Sequence, residues 1–343
     1  MARILVIRLS ALGDVAISVP LVQGLAEQYP EHEFVVLSQP KMGGLFESCP
    51  SNVLFVPADV YGKHRGFWGL FRLYRQLHSM GIDVICDMHS VIRTRVLTAF
   101  FGVHRIPVFR IGKERKHRQA LTRRKNKVFK PLKTSFERYR DVFAKAGLSL
   151  TYFDAWPKME PSLADLPEME ARFGAKKSIW LGYAPFARHQ GKIYPLEHSD
   201  KVIARLATDP RFTVFLFGGG KEETQRMKQW QDQYPSLQIP ACRSLSEEIQ
   251  LMKCLDVMVA MDSANMHLGS LAHTPVISVW GATHPYAGFY GLFQTEKNAI
   301  QLPLECRPCS VFGNKPCYRK DYACMNEIRP EQIIEKVYQE CGL

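Results

Sequence analysis

Residues 4–20 read ILVIRLSALGDVAISVP. Ile4–Ile7 is the short apolar run of a buried strand, and from about Val15 to Gln28 the chain reads as a helix. A strand that passes through a tight turn into a helix is the opening of an α/β domain. The turn ends on Gly13-Asp14, and Asp14 at a helix start admits two readings. It is a cap for open backbone N–H groups, or a carboxylate, ionised at neutral pH, that serves as a general base at the sheet edge.

Working outward, the βα rhythm continues. Phe34–Leu37, Val53–Val56 and Val84–Asp87 read as strands. Phe67–Met80 and Val91–Phe101 read as helices, the first on apolar i, i+3, i+4, i+7 spacing. From Gly147 to about Glu168 the periodicity fades into LSLTYFDAWPKMEPSLADLPEME, whose prolines mark a linker. A second series follows, with strands over Ile179–Ala184, Phe212–Phe217, Val257–Ala260 and Val276–Trp280. Its helices lie over Glu197–Ala207, from the glycine run to Trp230, over Ser246–Cys254 and over Met266–Ala272. The pattern predicts two Rossmann-like, doubly wound domains facing each other across a cleft, over 1–155 and 170–343, with ligands outside the carboxyl ends of the strands.

The chain has 343 residues, and 23% of them are charged. The apolar runs are too short for a membrane span, and the N-terminus lacks the pattern of a signal peptide. These features predict a cytoplasmic protein. The net charge of +12 is concentrated between Arg105 and Lys133, where twelve Lys/Arg face one acid, Glu114. Such a run is a solvated loop, or it meets an anionic acceptor, an anionic membrane or nucleic acid. No aromatic stacking platform or nucleic-acid motif accompanies it, so nucleic acid is not the expected partner.

Further candidate loops follow later strands. APFARHQGKIYP (184–195) holds Arg188 and Lys192 ahead of a helix start, which suits a phosphate or diphosphate or is simply a pair of surface cations. LFGGGKEE (216–223) lets the backbone approach a ligand and places Glu222 inside the next helix, to serve its dipole or a ribose hydroxyl. MDSANMHLGSLAHTPVISVWGATHP (261–285) puts Asp262, Ser263 and Ala264 at a helix entry whose N–H groups are open to a diphosphate. Asp262 or Ser263 also reads as an N-cap, and His267 as a packed helix residue. Gly281, Thr283 and His284 lie one strand further on.

Taken in order, these stretches resemble the heptosyltransferases, glycosyltransferase family nine. RLSALGDVAISVP and MDSANMHLGSLAHTPVISVWGATHP resemble the family's two signature regions. APFARHQGKIYP resembles its Lys-containing loop, and LFGGGKEE its Gly-then-acid loop. CDMHSVIRTRVLTAFFGVHR (86–105) resembles its Asp-x-x-x-x-x-Arg-Ser helix. The resemblance implies a GT-B fold and inverting sugar transfer from a nucleotide donor, typically ADP-heptose, to an anionic lipopolysaccharide core acceptor. It places the catalytic base on Asp14. It places the donor diphosphate on Lys192, and the ribose on Glu222 with Glu223 as alternative. The family's Asp-Thr-Gly-x-x-His motif falls on Asp262, Ser263, Ala264 and His267. Ala264 stands where the family has glycine, which leaves less room for backbone contact. Acceptor candidates are Arg8, Ser10, Arg93 and Arg118. No metal ion or other cofactor is implied: no acidic metal pair is evident, and cations can take the metal's part. The expected location is the inner face of the inner membrane, with the basic stretch in the N-terminal, acceptor-binding domain. A GT-B enzyme for another nucleotide sugar, and a nucleotide-sugar binder without catalysis, are the competing readings; a third is a nucleic-acid-binding protein.

Cys306, Cys309, Cys317 and Cys324 have the spacing C-x2-C-x7-C-x6-C. They are either free thiols or a tetrahedral zinc site.

Overall fold

The computed structural model describes residues 1–151 and 165–343. They form two compact units. One comprises Met1–Lys113 and residues 134–151, the other Glu114–Lys133 and residues 165–343. Most of the linker expected after Gly147 lies outside the described residues. Its distal end is helical, Asp165–Phe173, with Met169 buried.

The first unit holds β1 (Arg3–Ile7), β2 (Glu33–Ser38), β3 (Val53–Pro57), β4 (Val84–Asp87) and β5 (Val108–Arg110). They make one parallel sheet in the order β3-β2-β1-β4-β5. The apolar runs of β1, β2 and β4 are buried on both faces, as parallel strands under helices must be. Leu5, Ile7, Val35, Leu37 and Ile85 form the core with Leu73, Leu77, Leu97 and Phe101 from the helices.

The second unit holds β6 (Ile179–Ala184), β7 (Phe212–Leu216), β8 (Val257–Met261), β9 (Val276–Trp280) and β10 (Ala299–Gln301). These are parallel in the order β10-β9-β8-β6-β7. In each sheet the strand order reverses once, between β1 and β4 and between β6 and β8. Loops diverge at such a point and leave a crevice outside the strands' carboxyl ends.

Three local features differ from expectation. The first helix runs Leu12–Gln28, so Asp14 is its third residue rather than part of the preceding turn. Helices form at Arg115–Thr122 and Ser135–Lys145, where no element was expected; the second buries Phe136, Tyr139, Val142 and Phe143 at helical spacing. Most consequentially, Glu114–Lys133, the bulk of the basic stretch, belongs to the second unit rather than the N-terminal domain. Aromatic and carbonyl contacts hold it there. Arg118 lies over the rings of Phe289 and Phe312 at 4.9 and 5.7 Å, and Arg124 over Tyr318 at 4.1 Å. Lys127 Nζ donates to the carbonyls of Glu305 and Arg307 at 3.0 and 2.8 Å.

Candidate active site

The β1/β4 reversal gathers one group of side chains. Past the end of β1, Arg8 is tied to β2 by its N–H, which donates to the Leu37 carbonyl, and by its carbonyl, which accepts from the Ser38 hydroxyl at 2.7 Å. Its guanidinium donates to the Met88 carbonyl at 2.8 Å, just past β4. The same group lies 2.5 Å from Asp14 Oδ2. Asp14 Oδ2 also accepts from the Ala11 N–H at 3.3 Å, and Oδ1 accepts from the Tyr139 hydroxyl at 3.3 Å. The two readings of Asp14 are therefore compatible: the carboxylate caps the helix and still keeps a quarter of its side chain exposed at the sheet edge. Ser10 is half-buried one residue before the N-cap.

Arg93 enters from the next element. Asp87, buried at the end of β4, accepts from the N–H groups of His89 and Ser90 at 3.0 and 2.7 Å and from the Thr94 hydroxyl at 2.9 Å. That clasp shapes the loop into helix Ile92–Phe101, and Arg93 in its first turn lies over the Tyr61 ring at 5.4 Å. Thr94 stands where the resembled motif has serine and supplies the same hydroxyl.

His89 was missed by sequence reasoning. It is half-buried, and its Nδ1 is buried without a hydrogen-bond partner. Burial pushes it down to about 3, and the charge of Arg8 adds to the fall while Asp14 opposes it. A neutral imidazole thus sits near Arg8 and Asp14. The only signal for it was its position two residues past a strand end.

The β6/β8 reversal gathers the second group. Lys192 ends a short turn, Gln190–Lys192, and its Nζ lies 2.8 Å from Oδ2 of Asp262, the residue after β8. The Thr283 hydroxyl donates to the same oxygen at 2.7 Å. The Lys192 stem runs along Gly313, whose φ of +73° suits glycine; a Cβ there would stand 2.6 Å from Lys192 Cγ. Ser263 is the N-cap of helix Ala264–Leu271, yet its hydroxyl makes no capping bond and is buried without a partner. The N–H groups at this helix start, beginning with Ala264, are thus not capped by that side chain. His267 is buried in the same helix. In the glycine-run loop, Glu223 accepts from the Gly219 N–H at 2.7 Å and braces the turn, whereas Glu222 is exposed.

Arg118 belongs to this second unit, on the aromatic stack described above, and is not part of the Arg8–Asp14 group. His284 also lies here, with Nδ1 accepting from the Tyr286 N–H at 3.1 Å. Beside it, Lys127, Phe129, Leu302, Leu304 and Arg307 help line a cavity of about 710 Å³.

The four clustered cysteines line a void of about 10 Å³. All nine cysteines are free thiols, and burial pushes Cys324 up to about 12. Among the described residues no three His, Cys, Asp or Glu side chains are arranged to hold a metal ion.

Two parallel sheets, each with charged side chains gathered at its strand-order reversal, define a GT-B glycosyltransferase architecture. A solved family 9 glycosyl transferase from Veillonella parvula is similar over 99% of this chain and 97% of its own, with TM-score 0.73 and 19% identity. The E. coli heptosyltransferase WaaC with ADP-2-deoxy-2-fluoro heptose is similar over 98% of this chain and 99% of its own, with TM-score 0.65 and 18% identity. Among curated proteins, the lipopolysaccharide core heptosyltransferase OpsX of Haemophilus influenzae is 24% identical over 82% of this chain and 79% of its own length. Lipopolysaccharide heptosyltransferase 1 of Pseudomonas aeruginosa is 22% identical over 90% and 86%. The family model of glycosyltransferase family 9 (heptosyltransferase) matches residues 70–318, and the chain belongs to that family. It is a glycosyltransferase.

Proposed function

We propose that this enzyme transfers heptose from ADP-heptose to a lipopolysaccharide core acceptor, with inversion at the anomeric carbon. The observation that carries the reading is the Lys192–Asp262 pair beside the helix start at Ala264, at the strand-order reversal of a family 9 chain. A cation and backbone N–H groups converging outside a parallel sheet suit a diphosphate. The names of the relatives support the donor and acceptor: WaaC was solved with an ADP-heptose analogue, and OpsX acts on the lipopolysaccharide core.

In this reading Asp14 takes the proton of an acceptor hydroxyl. That oxygen attacks the anomeric carbon, the bond from carbon to diphosphate oxygen breaks, and ADP leaves with the electron pair. Lys192, Ser263 and the N–H groups from Ala264 onward take up the developing charge. Asp262 orients Lys192, His267 supports the helix start, and the exposed Glu222 receives the ribose hydroxyls. Arg8, Ser10 and Arg93 are assigned to the acceptor's phosphate or carboxylate groups, whereas Arg118 packs on the rings of the second unit and is not assigned to the acceptor. The reaction would take place on the cytoplasmic side, at the inner face of the inner membrane. Among the described residues no helix is long and apolar enough to cross a membrane.

Thermal melts with ADP-, GDP-, UDP- and CDP-sugars test the donor. ADP-heptose should give the largest rise, and ADP alone should compete with it. A larger rise with another nucleotide sugar would replace the donor assignment, and no rise with any would remove it.

A further inference from the structure

Helix Gly66–His78 buries Gly69, Leu70, Leu73 and Leu77, the usual stripe of a helix packed on a sheet. Its other side is not the polar face such a helix ordinarily shows. Trp68 is 77% exposed, Phe67 57% and Phe71 37%. At 100° per residue, Trp68, Arg72 and Arg75 share the outward side. Phe67 and Phe71 flank it and meet Phe100 of helix Ile92–Phe101 at 5.4 and 5.5 Å. Three large rings held in water by one helix form an apolar patch of the kind that marks an interaction surface.

The charge around the patch says what covers it. From Tyr61 to Ser79 there is no acid, while Lys63, Arg65, Arg72 and Arg75 are present and exposed. Among the described residues, Arg65, Arg72 and Arg75 have no ion-pair partner. Aromatic residues and arginine also occur at protein interfaces, but a second copy docked symmetrically on this face would set Arg72 and Arg75 against their own like charges, with no acid from Tyr61 to Ser79 to offset them. Indole and phenyl rings interspersed with unpaired arginines suit the headgroup layer of an anionic bilayer, where rings enter the interface and guanidiniums meet phosphate.

We propose that the outward face of helix Gly66–His78 is an interfacial docking surface for an anionic lipid bilayer. The basic stretch is less suited to that part, because Arg118, Arg124 and Lys127 are engaged with rings and carbonyls of the second unit. The proposal goes beyond the sugar-transfer reading, and its test needs neither donor nor acceptor.

The full chain is sedimented with vesicles of phosphatidylcholine alone or mixed with phosphatidylglycerol. The parent should bind the mixed vesicles, less so at high salt. Trp68→Ser/Phe71→Ser and Arg72→Glu/Arg75→Glu should each weaken partitioning at least about tenfold, with melting temperature and oligomeric state unchanged. Arg115→Glu/Lys116→Glu should weaken it much less. The proposal is overturned if the parent ignores anionic vesicles, or if both helix variants partition like the parent. It is also overturned if the helix variants dissociate an oligomer while vesicle binding is unchanged, which makes the patch a protein interface.

Discussion

Lys192 Nζ lies 2.8 Å from Asp262 Oδ2, with side-chain exposures of 15% and 4%. The buried carboxylate holds the ammonium at the β6/β8 reversal. Lys192→Ala should weaken ADP binding by about 1.5–3 kcal/mol, the worth of a charge-assisted bond. It should also lower stability, by less than the ~3–5 kcal/mol of a fully buried pair, by leaving Asp262 with Thr283 alone. Lys192→Ala/Asp262→Asn should recover stability but not affinity. Calorimetry with ADP and thermal melts separate the two effects; unchanged ADP affinity in Lys192→Ala would remove the lysine from the donor site.

Gly313 tests the same lysine from a residue with no polar side chain. Gly313→Ala forces an L residue to φ +73° and places Cβ against the Lys192 stem. The left-handed backbone should cost about 1–2 kcal/mol, and ADP affinity should fall as Lys192 shifts. A stability loss without an affinity loss would mean that the lysine's position is not critical for the nucleotide.

Arg118 has a packing role that its exposed neighbours lack. Arg118→Ala should lower stability by about 0.5–2 kcal/mol through its two ring contacts. Arg115→Glu/Lys116→Glu should leave the melting temperature nearly unchanged. If the outcomes are reversed, the basic segment is not held on the second unit by that stack.

Acid should weaken the fold through His284. Burial, with the charges of Arg307 and Lys127, pushes it from 6.5 down to about 4. Between those values the unfolded chain binds a proton that the folded chain refuses, so stability is full above pH 6.5 and declines as pH falls toward 4. His284→Asn, which retains an acceptor for the Tyr286 N–H, should flatten the melting temperature against pH across that window. An unchanged slope would assign the acid sensitivity to other groups, His89 among them.

The sheets were legible because parallel strands buried on both faces are short apolar runs. Val84–Asp87, Ile179–Ala184 and Val276–Trp280 have the predicted bounds. β5 and β10 were not seen, because three residues such as Val108–Arg110, set among cations and proline, carry no periodicity. Placing Asp14 and Lys192 at strand ends needed only local pattern. Their position at the two strand-order reversals is a property of strand pairing, which no single segment encodes. The basic stretch misled for a related reason. Charge density reads as a solvated or ligand-facing surface, whereas cation–ring contacts join residues far apart in sequence, such as Arg124 and Tyr318.

The central claim is Asp14-dependent heptosyl transfer, and a mass-spectrometric transfer assay reaches it most directly. Parent enzyme and Asp14→Asn are incubated with ADP-heptose and a delipidated lipopolysaccharide core acceptor, with ADP binding measured in parallel. The parent should add one heptose per ADP released, and Asp14→Asn should bind ADP normally while turning over roughly 10²–10⁴-fold more slowly. Absence of transfer by the parent, or turnover within threefold of the parent by Asp14→Asn, would contradict the account.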